Sequence, residues 1–137
     1  MTVDGVPHVC SDADYDREIA YLKRKVDAGA SLIITQLFYD INVYNDFVSQ
    51  CRRGGITIPI LPGIMPIRGL APFHRMTKLC KTRIPDGLKK CIATGNKAEF
   101  VVDLCNQLLG DGAPGLHFYT LNDEVLTFEI LEKIDNN

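Results

Sequence analysis

Apolar positions along the chain alternate between a helical period and short continuous runs. Tyr15, Ile19, Leu22 and Val26 recur at spacings of four, three and four, which is one stripe along a helix. Ser11-Asp-Ala-Asp14 ahead of them has the S-x-x-D form of a helix start, and Gly29 predicts a left-handed cap at the end. Leu32-Ile-Ile-Thr35 then reads as a strand buried on both faces, being short, apolar and β-branched. A second helix carries Val43, Phe47, Val48 and Cys51 and ends at Gly54-Gly55. In the next apolar run, Ile58 to Leu61, Pro59 cannot donate to a ladder, which puts the start of the strand at Ile60. Helices follow near 70–81 and 86–93, separated by Pro85. Another covers roughly 97–109, with Phe100, Val101, Leu104, Cys105 and Leu108 on one face. Gly115 to Tyr119 predicts a third strand, and Glu124 to Lys133 the last helix.

Strands joined by helices in this order predict an α/β fold with about three parallel strands and flanking helices. No low-complexity segment or linker divides it, so residues 1–137 read as one unit. Three strands cannot close a barrel, and the chain opens on a helix as though a strand before it were missing. The expectation is a fragment of a larger domain.

The composition changes this picture little. Of the 137 residues, 46% are hydrophobic and 23% charged, enough for one soluble core. The net charge of -2 and a basic run no longer than Lys23-Arg24-Lys25 argue against nucleic acid and anionic membranes as partners. No apolar run approaches the roughly 20 residues that cross a bilayer, and the N-terminus lacks the pattern of a secretion signal. A cytoplasmic location is expected. Cysteines 10, 51, 80, 91 and 105 form no CxxC pair, and read as small reduced hydrophobes rather than metal ligands.

Three places look unusual for scaffold. Thr35-Gln36 ends the first strand, where a carboxamide can both donate to and accept from a heterocycle, or simply bond a loop. Pro62-Gly-Ile-Met-Pro66 follows the second strand and predicts a stiff loop open to close approach, or a plain turn. His117-Phe-Tyr-Thr-Leu-Asn122 runs off the third, where His117 reads as a core group and the aromatic rings as core or stacking wall. All three lie at the C-terminal ends of successive strands, the rim where α/β proteins bind ligands. No GxGxxG, GxxxxGK[ST], GxSxG or HExxH motif is present.

Leu22-Lys-Arg-Lys-Val-Asp-Ala-Gly-Ala30, Ile33-Ile-Thr-Gln-Leu-Phe-Tyr-Asp40, Pro59-Ile-Leu-Pro-Gly-Ile-Met-Pro-Ile67 and Leu116-His-Phe-Tyr-Thr-Leu-Asn122 together resemble the methylenetetrahydrofolate reductases, from about Tyr15 to Ile134. The resemblance implies a partial TIM (β/α)8 barrel, the C-terminal half of a catalytic domain that carries non-covalent FAD. It implies that NAD(P)H reduces the flavin, which passes a hydride to 5,10-methylenetetrahydrofolate, giving 5-methyltetrahydrofolate for methionine supply. By the same resemblance Lys25 matches a lysine near the FAD phosphate and ribose, with Arg24 beside it where members vary. Glu18 stands where an FAD-contacting aspartate is common, and Tyr21 at another flavin-side position. Gln36 matches the glutamine that contacts the folate pterin and the nicotinamide nucleotide, and Tyr119 sits near the folate substrate.

The departures from the family pattern are also specific. Asp123 stands where several members have an arginine suited to the glutamate tail of folate, and Pro72 where some place a substrate-binding glutamine. Val6-Pro-His-Val9 matches the family's N-terminal segment faintly, which makes His8 a poor FAD ligand. Between Asn96 and Lys97 the family usually has roughly ten more residues, ~15 Å of helix, whose loss is expected to disturb packing. The first five strands of the barrel, with the glutamate and aspartate that serve catalysis, are expected to precede this segment, leaving the chain alone without activity. Three readings follow: a piece of a complete reductase, a non-catalytic truncated paralogue acting as a binding module, and a half-barrel that self-associates as a homo-oligomer.

Overall fold

The computed structural model describes residues 2–3, 6–7 and 12–134. Ser11 of the expected helix start, His8 and Cys10 lie outside the described residues. Two short strands, β1 (Thr2–Val3) and β2 (Val6–Pro7), pair antiparallel, a hairpin the apolar pattern did not signal. Then come α1 (Asp12–Asp27), β3 (Ile33–Leu37), α2 (Ile41–Arg53), β4 (Ile60–Ile64), α3 (Leu70–Leu79), α4 (Asp86–Thr94), α5 (Lys97–Gly110), β5 (His117–Phe118) and α6 (Glu124–Lys133). β3, β4 and β5 form a parallel sheet in that order, the expected α/β segment of a barrel.

Ile60 and Ile64 of β4 pack with Val101, Leu104, Cys105 and Leu108 of α5, Leu88 of α4 and Ile130 of α6 in one buried core. Two tyrosines near the start of α2 fasten that region to β4. Tyr39 donates its hydroxyl to the Met65 carbonyl at 2.9 Å, and Tyr44 donates to Ile60 at 2.7 Å. Asp40 caps α2, accepting from the Asn42 amide at 3.0 Å, and its other carboxylate oxygen lies 3.4 Å from Arg83 on the α3–α4 connection. The buried stripe of α2 runs through Tyr44 and Cys51, whereas Val43, expected inside, is 46% exposed.

Three expectations need correction. β3 is not buried on both faces: burial alternates along it, with Ile34 and Gln36 exposed. Such alternation marks a sheet with one covered face. Second, Pro62-Gly63-Ile64 is not a loop after β4 but part of it. Backbone polar groups alternate sides along a strand. Ile33 N donates to Pro59 O at 2.9 Å on the β3 side, and Tyr119 N donates to Ile64 O at 2.7 Å on the β5 side. Pro62, lacking an N–H, therefore faces β5, where pairing is confined to Gly63↔His117 and Ile64↔Phe118. Third, the short α4–α5 connection does not disturb packing. Gly95, at φ 81°, closes α4 in the left-handed conformation, Asn96 N donates to Cys91 O at 2.8 Å, and α5 begins at once. A Cβ on Gly87 of α4 would lie 3.7 Å from the ring of Phe100 in α5, so the two helices pack in ordinary contact.

Candidate ligand-binding site at the strand ends

The register of β3 against β4 slips by one residue near its C-terminal end. Ile33↔Ile60 and Ile34↔Leu61 are followed by Leu37↔Gly63, so Thr35 and Gln36 together stand opposite Pro62. Such a bulge interrupts the ladder, and the freed polar groups need other partners. Gly63 N donates to the Thr35 hydroxyl at 2.9 Å, and that hydroxyl donates in turn to Gln36 O at 2.9 Å. The Thr35 carbonyl accepts from the Tyr119 hydroxyl at 2.8 Å. Only glycine fits at position 63, since a Cβ there would lie 2.4 Å from Thr35 O and 2.7 Å from Cε2 of Tyr119. His117 meets the Tyr119 ring edge-to-face at 4.8 Å. The strand ends thus converge as expected, with the side chain of Gln36 exposed and Tyr119 half-buried, its hydroxyl already engaged.

Glu18, Tyr21 and Lys25 fall at i, i+3 and i+7 on α1, one face of the helix. They line a shallow pocket of about 190 Å³ with Tyr15, Leu22 and Phe47 of α2. The Lys25 ammonium lies 4.5 Å from the centroid of the Tyr21 ring, which is 50% exposed. Arg24 is not part of the pocket lining, and its guanidinium reaches the same ring only at 5.8 Å. The structure therefore groups Glu18, Tyr21 and Lys25 and sets Arg24 at their margin. Gln36 and Tyr119 form a separate group at the strand ends.

Asp123 is occupied structurally. It caps α6, accepting from Leu126 N at 3.2 Å, and its carboxylate takes a two-point ion pair from Arg68 on the β4–α3 connection. The hydrogen bond from Arg68 holds the Asp123 carboxyl below the usual carboxylate range. Arg68, a partner the sequence motifs did not signal, thus pairs with the negative charge of Asp123. Pro72 sits in the first turn of α3, where a missing N–H leaves no helical bond unmade. The turn Thr120–Asp123, closed by Asp123 N to Thr120 O at 2.9 Å, holds Leu121 and Asn122 at φ 49° and 62°. Beside it Thr120, Asn122, Glu124, Thr127, Phe128 and Leu131 line an open pocket of about 400 Å³. Sequence reasoning singled out Thr35 and a close backbone approach at Gly63, but not that the two meet each other across the β3–β4 slip.

Among the described residues no group of three or more His, Cys, Asp or Glu could hold a metal ion, and no helix is long and apolar enough to cross a membrane.

The pattern of the methylenetetrahydrofolate reductases matches residues 1–135. This chain belongs to that family. It is 42% identical to methylenetetrahydrofolate reductase (NADH) 1 of Zea mays over 150 residues, covering 96% of this chain and 25% of the maize protein. To the probable methylenetetrahydrofolate reductase (NADPH) of Caenorhabditis elegans it is 40% identical, over 88% of this chain and 20% of the relative. To 5,10-methylenetetrahydrofolate reductase of Buchnera aphidicola it is 35% identical, over 82% and 42%. The chain spans about a quarter of the length of the plant relatives it matches. The alignment to the maize reductase is longer than the 137 residues of this chain, so it opens gaps here. The α/β segment with its three parallel strands is the corresponding part of the family's (β/α)8 barrel.

Proposed function

We propose that this chain forms one wall of the active site for FAD-dependent, NAD(P)H-driven reduction of 5,10-methylenetetrahydrofolate to 5-methyltetrahydrofolate. The observation that carries this reading is the exposed carboxamide of Gln36 at the C-terminal end of a parallel strand, the end at which barrels bind their ligands. A carboxamide offers one acceptor and two donors, a match for the alternating polar edge of a pterin or a nicotinamide amide.

The donors on α1 suit part of FAD. The ammonium of Lys25, resting on an exposed tyrosine ring, is available to a diphosphate oxygen, and Glu18 can accept from ribose hydroxyls. The pocket of about 190 Å³ takes only a piece of such a molecule, so these residues hold one section of it. FAD, when bound, supplies hydride transfer between the nicotinamide and the folate. The residues of this chain bind and orient: Lys25 and Glu18 the cofactor, Gln36 the pterin or nicotinamide edge, with Arg68 neutralising Asp123 at the rim.

The test is retention of FAD. The purified chain is mixed with FAD and its visible absorption followed through gel filtration, for the parent, Lys25→Ala and Arg24→Ala. Loss of a charge-assisted contact worth about 1.5 kcal/mol predicts roughly tenfold weaker binding for Lys25→Ala, and a smaller effect for Arg24→Ala. Equal retention by the parent and Lys25→Ala sinks the assignment of α1. A parent chain that retains no flavin supports reading it as one piece of a reductase whose FAD site needs the rest of the barrel.

A further inference from the structure

We infer that Thr35, Gly63 and Tyr119 form a lock on the β3 bulge whose product is the direction of the Gln36 carboxamide, which makes Tyr119 a positioning residue rather than a substrate contact. The inference deepens the reading above, since it rests on Gln36 being the ligand-facing group.

The argument starts from the register. Without the slip, Gln36 would pair with Gly63 in sequence with Ile34↔Leu61; Leu37 holds that place instead. The slip puts Leu37 rather than Gln36 opposite Gly63, so the backbone on either side of Gln36 is set by what holds the slip. Three contacts hold it. The Thr35 hydroxyl accepts a hydrogen bond from Gly63 N and donates one to Gln36 O, bridging a gap the ladder no longer spans. The Tyr119 hydroxyl donates to the Thr35 carbonyl, the group the slip would otherwise leave without a partner. The absent side chain of Gly63 admits both, because a Cβ would stand 2.4 Å from that carbonyl. Tyr119 is itself fixed from below, where its amide donates to Ile64 O at 2.7 Å, and from the side by the edge of His117. The proton of the Tyr119 hydroxyl is therefore committed to the backbone of Thr35. The proton of the Thr35 hydroxyl is committed to the peptide of Gln36 itself.

Nuclear magnetic resonance of the 15N-labelled chain tests this without any ligand. Thr35→Val keeps the shape and removes the hydroxyl; Thr35→Ser restores it; Tyr119→Phe removes one oxygen and leaves the ring. Gly63 N–H exchange should quicken roughly fivefold in Thr35→Val, the equivalent of about 1 kcal/mol, and return in Thr35→Ser. The side-chain amide resonances of Gln36 should move in both Thr35→Val and Tyr119→Phe and return in Thr35→Ser. Gln36 resonances unchanged in Tyr119→Phe, a variant too mild to unfold the chain, overturn the lock. Adding 5-methyltetrahydrofolate to the parent separates the two readings. If the lock variants move Gln36 but the folate does not, the ligand assignment fails and the lock stands.

Discussion

Gly63→Ala is the substitution for which the structure supplies the fullest magnitude. The new methyl group would lie 2.4 Å from the Thr35 carbonyl oxygen and 2.7 Å from Cε2 of Tyr119, where ordinary contact needs about 3.5 Å or more. The nearer atom is backbone in a packed sheet and cannot swing aside as a flexible side chain would. Relief must part β3 from β4 by about 1 Å, overpacking that costs about 1–3 kcal/mol. The same movement breaks the bonds from Gly63 N to Thr35 and from Tyr119 to Thr35, each worth about 1 kcal/mol. The expected loss is roughly 4 kcal/mol, much of the 5–15 kcal/mol that usually holds a domain together. Urea denaturation followed by circular dichroism checks it. With a slope of about 2 kcal/mol/M, the midpoint should fall by roughly 2 M. Gly110→Ala is the control: nothing lies within 4 Å of its Cβ position in α5, so it should be neutral or up to about 1 kcal/mol stabilising. A Gly63→Ala midpoint within about 0.25 M of the parent would refute the close-approach argument.

Three further outcomes follow from the same structure. The Asp123 carboxyl is held low in the folded chain by Arg68, so its contribution is present above the unfolded-state value of about 3.9 and is lost as pH falls through the lower folded-state value. Asp123→Asn should be less stable than the parent at pH 7, with the gap closing in acid; a gap of constant size from neutral pH into strong acid would contradict the ion pair. Burial pushes the Cys105 thiol up to about 12 and raises that of Cys51, while Cys80 and Cys91 are half-buried, so among the four described cysteines an aromatic disulfide reagent at pH 8 should label Cys80 and Cys91 before Cys51 and Cys105. Early labelling of Cys105, read by peptide mass spectrometry, would show that the α5 core opens. Tyr44→Phe removes the hydroxyl that donates to the Ile60 carbonyl and should cost about 1–2 kcal/mol in urea denaturation; no loss would mean another donor reaches that carbonyl.

Elements with a strong period were legible in the chain itself. The stripe of α1, the five-residue apolar face of α5 and the α6 segment Glu124–Lys133 all appear where periodicity put them, because a helix needs only local spacing and one apolar partner surface. Gln36 and Tyr119 were singled out by motifs at the strand ends, whereas Glu18, Tyr21 and Lys25 were named only by what the family resemblance implies, and the structure puts those three on one face of α1. Tertiary structure decided the rest. The alternating burial of β3 depends on what covers each face of the sheet, which Leu32-Ile-Ile-Thr35 cannot state. The membership of Pro62 and Gly63 in β4 depends on which side of the ladder the missing N–H falls. Arg68 and Asp123 are 55 residues apart, and Tyr119 and Thr35 are 84 apart, so no local pattern links either pair. Side-chain identity and local period fixed which groups the chain could offer; the slip between β3 and β4, a long-range contact, decided which atoms are already committed and which, like the carboxamide of Gln36, are left facing outward.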